Sequence, residues 1–82
     1  MAIVNAAFKN NYGESRLWVI WDPGRDPNAP AVIFNDYLDA DQTTPWLTLH
    51  TEDVWARAIY QRSDGAQTVE DSITEGSVVN MS

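Results

Sequence analysis

The sequence predicts an all-β domain, a small antiparallel β-sandwich or partly closed barrel of about seven short strands. Runs of β-branched and aromatic residues recur at intervals of about 8–12 residues, which is typical of such folds. Gly, Pro, Asn and Asp separate these runs. No window shows apolar residues at the i, i+3, i+4, i+7 spacing of a helix. Because 82 residues can form only one core, residues 1–82 are interpreted as a single domain.

The first two predicted strands cover residues 2–9 and 15–22. The second has the strongest strand signal in the chain, with aromatic or β-branched residues on both faces. Period two divides these residues into two sets, Leu17, Val19 and Trp21 on one side and Trp18 and Ile20 on the other. Such a strand is expected to be central in its sheet or to have one face covered by a partner. Trp18 and Ile20 are therefore a candidate homodimer contact.

The middle of the chain is divided by prolines. Residues 22–30 contain three prolines and form a stiff loop, since each proline fixes φ. A short buried strand is expected at residues 31–34. The polar, acidic stretch at 35–45 could hold one turn of helix. An alternating strand follows at residues 46–50.

The last third of the chain predicts three more strands. Residues 54–62 alternate, and Asp64-Gly65 is a hairpin signal that joins them to residues 67–73. Glu75-Gly76 then leads into a final strand at 77–81.

Charge and composition exclude several classes of function. Five basic and twelve acidic residues give a net charge of −7, which disfavours nucleic-acid binding through a basic patch. The chain has no cysteine and only one histidine, so no zinc site of the Cys/His type is expected. No signal peptide or transmembrane run is recognised, which predicts a cytoplasmic protein or one released without a classical signal.

No catalytic motif is found, and the chain is predicted not to be an enzyme and to need no cofactor. His50 is the only histidine that could serve as a base, and no Gly-x-Ser-x-Gly or phosphate-binding loop is present. The acidic stretch fails the EF-hand spacing counted from Asp39, because Thr44 and His50 stand where Gly and Glu are required. A calcium site of another type stays open, and no metal site is predicted.

The aromatic residues are the best candidates for function. Trp46 and Trp55 both lie near the ends of predicted strands, where loops and ligands meet. An exposed tryptophan beside fixed polar groups is typical of sugar recognition, and it also suits a membrane interface or a protein contact. The candidate ligand-binding residues are Trp46, Trp55 and Tyr37, with Asp36 and Asp39 as polar orienters.

Three segments resemble a group of microbial proteins. Val4-Asn5, the strand Leu17–Asp22 and the closing Glu75–Val79 resemble, in strand order and pattern, small one-domain β-sandwich proteins of the aegerolysin kind. The resemblance spans most of the chain. It implies a lipid- or glycan-binding protein, of a type in which some members act as toxins on membranes.

These observations favour a non-enzymatic recognition module. It is expected to bind a glycan, a lipid headgroup or a protein surface through loop-end aromatics, in a lectin-like or membrane-directed, toxin-like role. The alternative is a small acidic inhibitor or immunity-type protein that blocks a basic partner with its negative charge and the stiff Asp22–Pro30 loop. The alternative predicts binding that weakens steeply with salt, whereas an aromatic platform predicts little salt dependence.

Overall fold

Two stacked β-sheets make up the protein. A computed structural model describes residues 2–82. Its strands are β1 (Ala2–Asn10), β2 (Arg16–Asp22), β3 (Ala31–Leu38), β4 (Leu47–Thr51), β5 (Ala56–Arg62), β6 (Gln67–Ile73) and β7 (Ser77–Met81). A three-stranded sheet has the order β4-β1-β7, and a four-stranded sheet has the order β3-β2-β5-β6. The predicted all-β class and sandwich are confirmed. The sheets do not close into a barrel.

The strand pairing is antiparallel with one exception. β1 pairs with β4 in the antiparallel sense and with β7 in the parallel sense. The hairpin predicted at Asp64-Gly65 joins the antiparallel pair β5 and β6. The parallel pair brings the two ends of the chain together in one sheet.

The third strand is longer than predicted. β3 continues to Leu38, and the helical turn expected after residue 34 is wrong. Asn35, Asp36 and Tyr37 pair with Val19, Trp18 and Leu17 of β2. Because β3 is an edge strand, its polar side chains reach solvent while its backbone completes the ladder with β2. Composition alone therefore misrepresented this segment.

The core lies between the two sheets and contains one face of β2. Trp18 and Ile20 are fully buried with Phe8 of β1 and Leu49 of β4. The homodimer contact expected through Trp18 and Ile20 is therefore wrong, because those side chains face the opposite sheet. The other face of β2 points outward.

Two buried polar side chains join the sheets. Asn10 is fully buried, and its Nδ2 donates to the carbonyl oxygens of Glu14 (2.8 Å) and Leu38 (2.9 Å). Asp22 is 2% exposed and accepts hydrogen bonds from the backbone N–H of Gly24 (2.9 Å) and from the His50 ring Nδ1 (2.7 Å). Each side chain thus ties the end of a strand in one sheet to a segment of the other, which satisfies polar groups that burial would otherwise leave unpaired.

Candidate functional site

Trp46 lies immediately before β4 and points away from the core. Leu49 faces inward, so the period-two alternation of the strand places Trp46 and Thr48 on the outer face of the three-stranded sheet. The backbone that leads into Trp46 is held by Thr44, whose Oγ1 accepts from the Phe8 N–H (3.1 Å) and donates to the Pro45 carbonyl (2.8 Å). The Trp46 side chain is 61% exposed. A large aromatic surface is therefore held in solvent on a rigid strand.

Three polar side chains beside Trp46 are bonded to one another. The Glu75 carboxylate accepts from the Asn5 backbone N–H (2.9 Å) and lies 3.4 Å from Asn5 Nδ2. Thr48 Oγ1 donates to Asn5 Oδ1 (3.1 Å). A shallow groove of about 300 Å³ is lined by Asn5, Trp46, Glu75 and Gly76. We name it the Trp46 groove. The mutual hydrogen bonds orient its amide and carboxylate before any ligand arrives.

Trp55 lies in a different and larger groove. This Trp55 groove has a volume of about 460 Å³ and is walled by Pro23, Pro27, His50, Glu52 and Arg57 among others. The loop before β5 is fixed by Thr51, whose Oγ1 donates to the Trp55 carbonyl (2.6 Å) and accepts from the Asp53 N–H (3.1 Å). The Trp55 side chain is 55% exposed.

The two grooves are separate. They share no lining residue. Trp46 precedes Leu47, the first residue of β4, whereas Trp55 is bonded to Thr51, the last. A five-residue strand spans about 13 Å from its first residue to its last, so the two indoles lie at opposite ends of β4. The two tryptophans that share a sequence signature therefore do not form one site.

The remaining predicted residues lie elsewhere. Tyr37 is 65% exposed on the outer face of the four-stranded sheet, opposite Leu17. Asp36 belongs to β3 and accepts the Tyr37 N–H (2.7 Å), while the backbone N–H of Asp39 donates to the Gln42 side chain in the following turn (2.8 Å). None of these three residues lines either groove. The Asp36 carboxylate thus bonds a local backbone N–H, whereas the Asp39 hydrogen bonds are made by its backbone groups.

His50 is one of the residues that bond the buried Asp22 side chain. Its ring Nδ1 bonds the buried carboxylate, and Asp22 also accepts the His50 backbone N–H (3.2 Å). His50 also lines the Trp55 groove. No serine hydroxyl among residues 2–82 is hydrogen-bonded to this ring, so the contact orients the imidazole and ties β4 to β2.

The basic side chains are mostly engaged by acids. Arg16 and Arg62 lie over the Tyr12 ring, with guanidinium carbons 5.1 and 3.8 Å from its centroid. Both also bond the Asp64 carboxylate. The Arg62 hydrogen bond, with a second from Arg16, lowers the pKa of Asp64 below its ordinary value. This cluster lies at one end of the four-stranded sheet, and both of its arginines are bonded to Asp64.

Asn5, Thr48 and Glu75 were not predicted as candidate site residues. Asn5 and Thr48 show only the alternation of ordinary strands, and Glu75 is part of a turn. Glu75 reaches Asn5 because β7 pairs with β1 in parallel, a contact between residues 70 positions apart. A signal was present in the polar residues at outward positions of the first and fourth strands, but no local pattern indicates the pairing.

Across residues 2–82, no three His, Asp or Glu side chains are grouped so that they could hold a metal ion. The same part of the chain contains no helix that is long and apolar enough to cross a membrane. Comparison of the chain with models of protein families, with curated proteins and with solved structures gives no match.

Proposed function

We propose that this domain is a non-catalytic glycan-recognition module whose binding site is the Trp46 groove. The observation that carries the proposal is Trp46, 61% exposed, beside the groove-lining Asn5 and Glu75, which are already bonded to each other. The C–H face of a sugar ring packs on an aromatic ring, and its hydroxyls bond amide, hydroxyl and carboxylate groups. Asn5 and Glu75 line the groove and supply an amide and a carboxylate, and the Thr48 hydroxyl holds the Asn5 amide in place.

Preorganisation supports this use of the groove. A ligand that meets ordered side chains loses less entropy on binding than one that must order them. The Asn5–Glu75 and Thr48–Asn5 bonds hold the polar groups, and Thr44 holds the backbone that carries Trp46. The groove is shallow, which suits one or two sugar rings at the end or edge of a chain.

Charge favours a neutral glycan. Among residues 2–82, Glu75 is the one ionisable side chain that lines the groove. The protein carries a net charge of −7, which repels acidic sugars and anionic headgroups. We expect neutral hexoses or N-acetylhexosamines to bind and their carboxylated or sulfated forms to bind more weakly.

The experiment is a titration of neutral and acidic mono- and disaccharides followed by NMR shifts of the indole N–H groups. Trp46→Ala should weaken binding at least tenfold, about 1.4 kcal/mol. Glu75→Gln keeps the shape of the side chain and removes its charge, and should weaken binding by a smaller factor. Trp55→Ala is the matched control, since Trp55 is also exposed but lies in the other groove. Equal loss in Trp46→Ala and Trp55→Ala, or full binding by Trp46→Ala, would contradict the proposal.

The acidic-inhibitor alternative has one supporting observation. Five acidic side chains lie within 4 Å of a basic one: Glu14, Asp22, Asp41, Asp64 and Asp71. The other seven acidic residues have no such neighbour within residues 2–82. Asp22 is buried, however, so the Asp22–Pro30 loop presents only Asp26 to a basic partner.

Salt separates the two functions. A glycan complex formed by stacking and neutral hydrogen bonds should keep its affinity between about 50 and 500 mM salt, whereas a complex between an acidic surface and a basic partner should weaken steeply. A steep loss measured for the bound ligand would favour the inhibitor.

A further inference from the structure

The outer face of the four-stranded sheet carries a continuous apolar row. Strand register places Val32 of β3 opposite Trp21 of β2, Trp21 opposite Ile59 of β5, and Ile59 opposite Val69 of β6. Directly opposed residues lie on the same face of a sheet with Cβ atoms about 4.5–5.5 Å apart. Val32 and Val69 are 56% and 52% exposed, and Trp21 and Ile59 are half-buried. The row therefore crosses all four strands, and the valines at its two ends are exposed.

Neutral residues border this row on one side. The next row along the strands contains Asn35, Val19, Gln61 and Gln67. Beyond it lie Leu17 and the exposed Tyr37. An apolar centre with an amide border has the composition of a protein contact surface, in which charge is depleted at the centre.

The charged residues of this face cancel each other. Arg57 and Asp71 lie at its other side, and Arg57 Nε donates to Asp71 Oδ1 at 2.6 Å. No other Asp, Glu, Lys or Arg occupies an outward position of β2, β3, β5 or β6. The net charge of −7 is therefore carried by other parts of the surface.

This neutrality favours a second copy of the chain as the partner. A two-fold contact places a surface against the same surface of the second copy, so any uncompensated charge would lie near a like charge. A basic partner would instead need free carboxylates, which this face lacks. Two copies can meet here while their other acidic residues stay in solvent.

The available area is sufficient for such a contact. Because stacked sheets lie about 10 Å apart, the shortest extent of the molecule, 16 Å, is the stacking direction, and its broad sides measure 36 × 25 Å. A standard interface buries about 800 Å² per partner, roughly a sixth of the 4734 Å² of accessible surface. One broad side supplies that area.

We propose that the protein forms a two-fold homodimer through the outer face of its four-stranded sheet, centred on Trp21 and Ile59. This dimer would leave the Trp46 groove free, because that groove belongs to the outer face of the other sheet. Two sugar sites would then face away from each other in one particle. The dimer does not depend on sugar binding, and either proposal can fail without the other.

The experiment is sedimentation equilibrium over about 1 to 500 µM protein, with each variant checked for folding by urea unfolding. The wild type should reach twice its chain mass of 9.2 kDa. Val69→Glu and Val32→Glu should each raise the dissociation constant at least tenfold, since each places a charge in the contact. Val54→Glu is the matched control, because Val54 is 69% exposed and lies outside the face.

Salt gives an independent readout. Two copies of charge −7 repel, so raising salt from about 50 to 500 mM should strengthen this dimer. A strict monomer at about 500 µM, or equal weakening by Val54→Glu and Val69→Glu, would overturn the proposal. So would a dimer that weakens as salt rises, because it would be held by ion pairs.

Discussion

Gly24 occupies a position where the structure leaves no room for a side chain. A Cβ added there would lie 1.6 Å from the His50 carbonyl oxygen and 2.5 Å from its carbonyl carbon. Ordinary non-bonded contacts are about 3.5 Å, so Gly24→Ala requires the turn after β2 and the end of β4 to separate by roughly 2 Å. Both obstructing atoms are backbone, which cannot rotate away as a flexible side chain could.

That separation breaks hydrogen bonds to the Asp22 side chain. The Asp22 carboxylate accepts from the Gly24 N–H at 2.9 Å, and from the His50 N–H at 3.2 Å and ring Nδ1 at 2.7 Å. Hydrogen bonds to a charged group contribute about 1.5–3 kcal/mol each, so the loss of the two bonds from His50 costs about 3–6 kcal/mol. A domain of this size has a free energy of unfolding of about 4–12 kcal/mol. We therefore expect Gly24→Ala to remove much of the stability.

Urea unfolding followed by circular dichroism measures this change. Gly65→Ala is the matched control, since an added Cβ there meets only the flexible Arg62 side chain, at 3.5 Å or more. Its unfolding midpoint should stay close to that of the wild type. The double variant Gly24→Ala/Asp22→Ala should be little worse than Gly24→Ala alone, because both changes remove the same bonds. A Gly24→Ala midpoint equal to that of Gly65→Ala would refute the reasoning.

Two further predictions concern a buried donor and a pH dependence. Trp18 Nε1 is buried without a hydrogen-bond partner among the described residues, so Trp18→Phe removes an unpaired donor. In urea unfolding, Trp18→Phe should therefore cost less than about 1 kcal/mol, whereas Trp18→Ala should cost about 3–5 kcal/mol. Comparable costs for the two variants would exclude this account. The pKa of Asp64 is lowered by Arg62 and then Arg16, so folding favours its ionised form. The stability that this carboxylate contributes is present above its ordinary pKa of 3.8 and is lost as pH falls through its folded-state pKa. Asp64→Asn should therefore flatten the decline of the unfolding midpoint below pH 3.8, and an unchanged decline would contradict the assignment.

The sequence predicted only part of the candidate site. The sequence indicated that Trp46 and Trp55 stand at the starts of strands, because turn residues precede both. It could not indicate that the two indoles lie at opposite ends of β4 in separate grooves. Asp36 and Asp39 look like ligand-orienting groups in the sequence, yet the Asp36 carboxylate bonds the adjacent Tyr37 N–H, and Asp39 bonds the Gln42 side chain through its backbone N–H. An acidic residue in a turn has both uses, and only the surrounding structure distinguishes them.

By itself, the sequence determined the all-β class and the approximate positions of seven strands, because period-two alternation and turn residues are local properties of the chain. Tertiary structure decided which face of β2 is core, since both faces are apolar and local pattern cannot rank them. It also decided the length of β3, where pairing with β2 outweighed polar composition. The parallel pairing of β1 with β7 brings Glu75 to Asn5, and that contact depends on a register between distant segments that no local pattern encodes.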